Sequence, residues 1–210
     1  ALQDIEFLKS LDGKMILAAC GTVSSILEES NVNIEIPFTG VIAPTATAAA
    51  SATRNNKIGI IGTTATIKSG SYKRELLKIN PNLQIFEQDC PLFVPLVENG
   101  FIEKDNKATL IIAEKYLAGL RNKKIDTLIL GCTHYPYLLD KLAKYAPQDL
   151  FINPAQLFAN YIKQDLLKHN ILNTDSSGSV SYFASSEPDV FKKNAKLFLE
   201  IDSLPQLVEL

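Results

Sequence analysis

Short apolar runs alternate with longer amphipathic stretches along the chain, and this alternation restricts the fold more than any other feature. Apolar runs bounded by turn residues predict strands at Met15–Ala19, Lys57–Ile61, Leu83–Phe86, Thr127–Leu130 and Ser179–Phe183. Apolar residues three and four positions apart predict helices at Ser69–Lys78, Lys107–Leu120, Tyr137–Tyr145, Pro154–Lys168 and Pro188–Leu199. A polar cluster over Asn173–Ser179 predicts a loop. This order of elements is typical of an α/β fold with mainly parallel sheets.

Composition and charge argue against several classes of partner. Of the 210 residues, 46% are hydrophobic and 21% are charged, and the net charge is −2. A nucleic-acid partner is not expected, because binding to phosphates needs a basic face. No apolar run approaches the roughly 20 residues of a membrane helix, and the first twelve residues do not resemble a signal peptide. We therefore predict a cytoplasmic protein with no membrane partner.

Two of the three cysteines stand at comparable places in the chain. Cys20 and Cys132 each follow an apolar strand, and a threonine comes at once or after one residue. A cysteine is often only a small buried hydrophobe, but a helix that begins after the turn would favour the thiolate. Two thiols on opposite sides of a carbon centre can invert it, one as base and the other as acid.

Other candidate residues are the threonines after a third predicted strand, the third cysteine and the second histidine. A third predicted strand, Ile58–Ile61, is followed by Gly62-Thr63-Thr64-Ala65-Thr66, and ligands bind at the carboxyl ends of strands in open parallel sheets. No cysteines form a Cys-x-x-Cys pair, so neither a disulfide framework nor a zinc site is indicated. We interpret Cys90 as a packing residue and His169 as a surface residue.

Several segments resemble the glutamate racemases, in the same order along nearly the whole chain. Gly131-Cys132-Thr133-His134-Tyr135-Pro136 resembles the second cysteine motif of that family. Ala18-Ala19-Cys20-Gly21-Thr22 resembles the first, where the family usually has Asn at the position of Gly21. Further similar segments are the lobe crossing at 40–44, the carboxylate loop at 60–69, the inner wall at 90–98 and the closing segment at 185–188.

The resemblance implies two similar doubly wound lobes with the active site between them, one made of 1–43 plus 154–210 and the other of 44–153. It implies a racemase that needs no cofactor or metal, acts on glutamate, supplies D-glutamate for peptidoglycan synthesis and cell-wall biogenesis, and forms a homodimer as one candidate assembly.

The resemblance also assigns roles to individual residues. Cys20 would abstract the α-proton of the D-enantiomer and Cys132 that of the L-enantiomer. His134 would assist Cys132, with Glu98 as its acidic partner and Glu103 as the alternative partner. Substrate binding is assigned to Gly21, Thr22, Thr63, Thr66 and Thr133.

The sequence departs from the family ahead of the first cysteine. The family has an Asp-Ser-Gly turn, whose aspartate assists this cysteine, and a Pro-Tyr-Gly turn, whereas here nineteen residues precede Cys20 and neither turn is present. Either the chain is a fragment or the protein is naturally shortened and inactive. We favour a fragment, because a lobe without a central strand exposes sheet edges and folds poorly. Glycine at position 21 removes one substrate hydrogen bond, a loss of about 0.5–1.5 kcal/mol.

Three alternatives remain open. Aspartate racemases usually have an acidic residue after the second Cys-Thr, so His134 favours glutamate as substrate. A cysteine hydrolase that uses Cys132 and His134 is disfavoured, because an imidazole two residues away on a turn rarely reaches the sulfur, and because Cys20 is left unexplained. An amino-acid-binding remnant without turnover is supported by the absent N-terminal turns.

Overall fold

The structure is a computed structural model that describes residues 1–30, 34–174 and 178–210. Internal contacts divide it into two compact units, one formed by 1–13 with 166–210 and the other by 14–165. These boundaries differ from the predicted lobes, 1–43 plus 154–210 and 44–153, which remain a prediction. Part of the predicted loop at 173–179 lies outside the described residues.

The described residues form strands separated by one or more helices. The strands are β1 (Ile16–Ala18), β2 (Phe38–Gly40), β3 (Lys57–Gly62), β4 (Gln84–Asp89), β5 (Thr127–Leu130), β6 (Phe151–Ile152), β7 (Phe183–Ala184) and β8 (Gln206–Leu207). The helices are α1 (Leu2–Ser10), α2 (Gly21–Ser30), α3 (Ile42–Ala52), α4 (Thr64–Ser69), α5 (Ser71–Ile79), α6 (Phe93–Glu98), α7 (Lys107–Arg121), α8 (Leu139–Leu142), α9 (Pro154–Lys168) and α10 (Pro188–Ala195). Short 3-10 helices cover Tyr135–Leu138 and Gln148–Leu150.

Each pair of strands in the described chain is parallel. In the larger unit β1 pairs with β2, and a four-stranded sheet has the order β4-β3-β5-β6. In the smaller unit β7 pairs with β8. This arrangement confirms the predicted α/β class with mainly parallel sheets.

The two central strands of the larger sheet form its core. Every residue of β5 is buried, as is every residue of β3 after Lys57. Since successive side chains of a strand point to opposite faces, both faces of this sheet are covered. The register places Ile60 of β3 beside Ile129 of β5, and both are fully buried.

The helix predictions differ from the structure where the backbone must turn. Gly70 adopts a left-handed conformation with φ 63°, so the predicted helix at Ser69–Lys78 divides into the end of α4 and the whole of α5. The helix predicted over Tyr137–Tyr145 is wrong, because the segment forms the 3-10 helix Tyr135–Leu138 and then only the single turn α8. Tyr135 and Leu138, three positions apart, are both buried, which is the spacing of a 3-10 helix.

Two further predictions in the smaller unit are too long. Only Phe183 of the strand predicted over Ser179–Phe183 lies in β7, and the last helix ends at Ala195 instead of Leu199. α10 has no buried residue, and helices in proteins are stabilised mainly by packing. The amphipathic pattern after Ala195 therefore does not by itself continue the helix.

An aromatic cluster holds the segment after β5 against α6 and α7. The ring of Phe93 meets the rings of Tyr116 and Tyr135 edge to face, each at a centroid distance of 5.1 Å. The Tyr135 hydroxyl donates a buried hydrogen bond to the backbone oxygen of Cys90 at 3.0 Å. This cluster therefore sets where the residues just before Tyr135 lie.

We expect Tyr135→Phe to lower the free energy of unfolding by about 1–3 kcal/mol, because the Cys90 carbonyl loses its buried donor. Urea unfolding of the two proteins measures the difference. The control is Tyr161→Phe, whose parent residue is 46% exposed, and which should change the value by less than about 0.5 kcal/mol. Equal small changes in both variants would contradict the prediction.

Candidate active site

The carboxyl ends of three parallel strands carry the residues selected from the sequence. Cys20 lies two residues after β1, Thr63 directly follows β3, and Cys132 lies two residues after β5. β3 and β5 are neighbours in one sheet, so their ends lie side by side, where ligands bind in such sheets. α2 begins at Gly21, which confirms a helix directly after the first cysteine, whereas a 3-10 helix begins at Tyr135 after the second.

The turns that carry the two cysteines are in backbone contact. A Cβ atom on Gly21 would lie 2.7 Å from the carbonyl oxygen of Gly131, far inside van der Waals contact. Gly21 directly follows Cys20 and Gly131 directly precedes Cys132, so this contact brings the two cysteines to one site. From the sequence we expected glycine at position 21 to remove one hydrogen bond to the substrate. The structure adds a steric effect, since no side chain fits at position 21 unless one of the turns moves.

Three threonine hydroxyls form a ring of hydrogen bonds between the strand ends. Oγ1 of Thr22 lies 3.0 Å from that of Thr63 and 3.1 Å from that of Thr66, and the last two are 3.0 Å apart. Thr63 also caps α4, because its hydroxyl accepts the backbone N–H of Thr66 at 3.2 Å. Hydroxyl protons can rotate, so this ring can donate to the oxygens of a carboxylate. The structure therefore brings three of the four predicted substrate-binding threonines together.

The fourth threonine, Thr133, lies beside Cys132 instead. Thr133 is exposed and lines an apolar cavity of about 320 Å³ together with Leu17, Val41 and Phe158. A hydrogen bond from its hydroxyl lowers the pKa of Cys132, against the larger effect of burial. Thr133 therefore lies beside Cys132 and not in the threonine ring, and its role in substrate binding stays a prediction.

His134 and Glu98 form a chain of contacts that begins at Cys132. Sγ of Cys132 lies 3.7 Å from Nδ1 of His134, and Nε2 of His134 lies 3.1 Å from Oε1 of Glu98. Of the two glutamates left open by the sequence, the structure thus places Glu98, at the end of α6, against the imidazole.

The argument that this imidazole would not reach the sulfur is wrong. The chain curls into a 3-10 helix just after Cys132, with His134 already in a helical conformation, and this curvature folds the ring back onto the thiol. The remaining argument against a cysteine hydrolase is that such an enzyme would leave Cys20 without a role.

The two thiols lie in different surroundings. Cys132 is 9% exposed, and burial raises the pKa of its thiol to about 11. The backbone N–H of His134 opposes this rise, while negative charge on Cys20 and on Glu98 adds to it. Cys20 is exposed. Cys132 is therefore a protonated thiol at neutral pH, and an exposed partner thiol stands near it.

Two serines that support the first cysteine turn were not predicted. The Ser24 hydroxyl donates to the carbonyl of Ala18 at 2.9 Å and accepts the N–H of Val41 at 3.2 Å. The Ser25 hydroxyl donates to the carbonyl of Gly21 at 2.8 Å. Both serines are buried. Their position one turn into α2 is the only sequence signal, and it does not distinguish them from exposed helical serines.

The other candidates lie where expected. Cys90 is buried and His169 is exposed. In the part of the chain that the structure describes, no three His, Cys, Asp or Glu residues are grouped so that they could hold a metal ion. No helix there combines the length and the apolar character needed to cross a membrane. Cofactor independence, cytoplasmic location and a homodimer stay predictions.

Comparison with known proteins gives a consistent result. Residues 1–162 match the family model for Asp/Glu/Hydantoin racemases. A glutamate racemase of Chlorobaculum parvum is 39% identical over 205 residues, which are 95% of this chain and 74% of that protein. The crystal structure of a glutamate racemase from Bacillus anthracis has a TM-score of 0.90 at 30% identity, covering 100% of this chain and 79% of the other. That of a glutamate racemase from Francisella tularensis in complex with D-glutamate has a TM-score of 0.85 at 29% identity, covering 99% and 77%. The chain therefore belongs to the Asp/Glu/Hydantoin racemases, and among them to the glutamate racemase family.

Proposed function

We propose that this protein interconverts L- and D-glutamate by moving the α-proton between Cys20 and Cys132. The observation that carries this proposal is the backbone contact between Gly21 and Gly131, which joins the two cysteine turns at the carboxyl ends of the strands. The relative from Francisella tularensis was solved with D-glutamate, which supports glutamate as the substrate. The D-glutamate formed would supply peptidoglycan synthesis, as in the family that the sequence resembles.

The threonine ring receives the substrate in this proposal. The hydroxyls of Thr22, Thr63 and Thr66 turn outward and donate to a carboxylate, because each keeps a rotatable proton within the ring. Hydrogen bonds to a charged acceptor are stronger than those among neutral hydroxyls, so exchange of ring bonds for carboxylate bonds is favourable.

The proton moves in two steps from the D-enantiomer. The Cys20 thiolate takes the α-proton and leaves a carbanion, and the Cys132 thiol then gives its own proton to the opposite face. Burial keeps the pKa of Cys132 near 11, so this thiol holds the proton that the second step needs. The carbanion is stabilised by hydrogen-bond donors already in place.

The reverse direction needs Cys132 as the base, and His134 acts through it. Nδ1 accepts the Cys132 proton across the 3.7 Å contact, while Nε2–H donates to Glu98 at 3.1 Å. Glu98 thereby selects the tautomer in which Nδ1 is free to accept. By accepting this proton, His134 offsets the unfavourable ionisation of the buried Cys132 thiol.

We expect the purified protein to racemise both glutamate enantiomers with no added pyridoxal phosphate, nucleotide or metal. Circular dichroism of each enantiomer over time measures this, with L-aspartate as the comparison substrate, which should turn over more slowly. Activity that disappears on dialysis against a chelator and returns with zinc would contradict the proposal. Binding of glutamate without turnover would support the amino-acid-binding remnant instead.

We expect the two cysteines to be distinguishable by isotope exchange. Since free enantiomers are equally stable, kcat/KM is the same in both directions and cannot tell the thiols apart. In D2O, Cys132→Ser should still exchange the α-hydrogen of D-glutamate, and Cys20→Ser that of L-glutamate, while each lowers racemisation by about 10²–10⁴-fold. NMR measures exchange and circular dichroism measures racemisation.

The matched control for these variants is Cys90→Ser, since Cys90 is a buried thiol outside the proposed site, and its Sγ donates to the backbone oxygen of Gln88 at 3.7 Å. It should keep both racemisation and exchange. Undiminished racemisation by either of the two active-site variants would remove that cysteine from the mechanism.

We expect alkylation of Cys132 by iodoacetamide to follow its raised pKa. Only the thiolate reacts, so the rate should rise about tenfold per pH unit until the pH nears 11, as peptide mass spectrometry would show. Glu98→Gln removes a negative charge that raises this pKa, so it should move the midpoint to lower pH. The shift should be less than about one unit, because Glu98 is 46% exposed and solvent screens its charge.

The control for this charge effect is Glu103→Gln, which removes the same charge from the glutamate that does not contact His134 in this structure. It should leave the midpoint unchanged. A shift to higher pH in Glu98→Gln, or equal shifts in both variants, would contradict the assignment of Glu98.

A further inference from the structure

Tyr72, on α5, has a buried hydroxyl with no hydrogen-bond partner among the described residues. The side chain is 2% exposed. Buried polar groups are almost always paired, because an unpaired one loses its bonds to water and gains none. The fully buried Tyr135 follows this rule, since its hydroxyl donates to the Cys90 carbonyl. The lone hydroxyl of Tyr72 therefore needs an explanation.

The ring of Tyr72 lies directly behind the contact between the two cysteine turns. A Cβ atom on Gly131 would be 3.3 Å from Cε2 of Tyr72, and the carbonyl oxygen of Gly131 is the atom that faces Gly21. Cε2 is bonded to the ring carbon that carries the hydroxyl. The unpaired O–H is thus two bonds away from the ring atom that faces Gly131, the residue before Cys132.

The groups that act on this hydroxyl are mostly acidic. Burial is the main reason why the pKa of Tyr72 is raised far above its ordinary value, and negative charge on Cys132, Glu28 and Cys20 raises it further. The nearby Thr45 hydroxyl lowers this pKa as a hydrogen-bond partner would, but the two hydroxyls do not meet in hydrogen-bond geometry, and Thr45 donates its own proton to the carbonyl of Val41 at 2.7 Å. Tyr72 therefore stays neutral and keeps a proton to donate while a thiolate is present. Cys132 itself is also acted on by Glu98 and by the backbone of His134.

We propose that Tyr72 is a positioning residue for the thiol pair, whose unpaired O–H rotates to point its proton at whichever of Cys20 and Cys132 is ionised. This inference rests on the proposed two-thiol racemisation. There the negative charge alternates between two sulfurs, and a donor bound to a protein acceptor would be aligned for only one of them. A phenolic proton lies in the plane of the ring and can turn between two opposite orientations, and in a dry interior its dipole acts more strongly than in water.

The test is Tyr72→Phe, which keeps the ring and removes only the hydroxyl. We expect the acid limb of kcat/KM to move up by about one pH unit, which corresponds to an about tenfold lower population of the ionised state at a given pH. Alkylation of Cys132 at a fixed pH below 11 should slow by a similar factor. The melting temperature should stay the same or rise, because an unpaired buried hydroxyl is removed.

The matched control is Tyr116→Phe, which removes the acceptor of the Leu92 N–H. It should lower the melting temperature and leave the acid limb and Cys132 alkylation unchanged. The proposal is overturned if Tyr72→Phe moves neither the limb nor the alkylation rate, or if it only lowers the melting temperature. Should the unaltered protein fail to racemise glutamate, the proposed function fails, but alkylation of Cys132 in the two variants still decides the role of Tyr72.

Discussion

The backbone contact between Gly21 and Gly131 is the constraint on which the rest of the site depends. Gly131 is enclosed from two further directions, because a Cβ there would lie 2.8 Å from the carbonyl oxygen of Ile61 and 3.3 Å from the ring of Tyr72. Its own N–H donates to that same Ile61 carbonyl at 2.7 Å, which continues the ladder between β3 and β5 beyond the strand. In this chain a side chain at either glycine would require a cysteine turn to shift, so the close contact between the turns depends on glycine at both positions.

The two thiols need not be alike for the proposed reaction. Cys132 is buried and Cys20 is exposed, and burial favours the neutral thiol of Cys132. His134 and Glu98 stand on that same side, where ionisation is most costly. The polar partners of Cys132 thus stand where burial opposes its ionisation, and a symmetric chemical task is performed by an asymmetric pair.

The hydroxyl groups around the site are used in three ways. Ser24 and Ser25 bond to backbone carbonyls and hold the first cysteine turn in place. The threonine ring is satisfied internally but can exchange its bonds for those of a carboxylate. Tyr72 alone among these groups has no hydrogen-bond partner in the described structure. Burial of an unpaired hydroxyl destabilises the fold, so its removal should affect function and stability in opposite directions.

The sequence by itself determined the elements whose signal is local. The strand at Thr127–Leu130 and the helix at Pro154–Lys168 have the predicted bounds, because an apolar run between turn residues and a three-to-four-residue period are both properties of neighbouring residues. The sequence also placed the cysteines just past strand ends. Tertiary structure decided the reach of His134 to Cys132, the choice of Glu98 over Glu103, and the contact between the two glycines. These depend on how far a turn curls and on which backbone atoms meet across more than a hundred residues, and such distances are set by packing and not by the pattern of side chains along the chain.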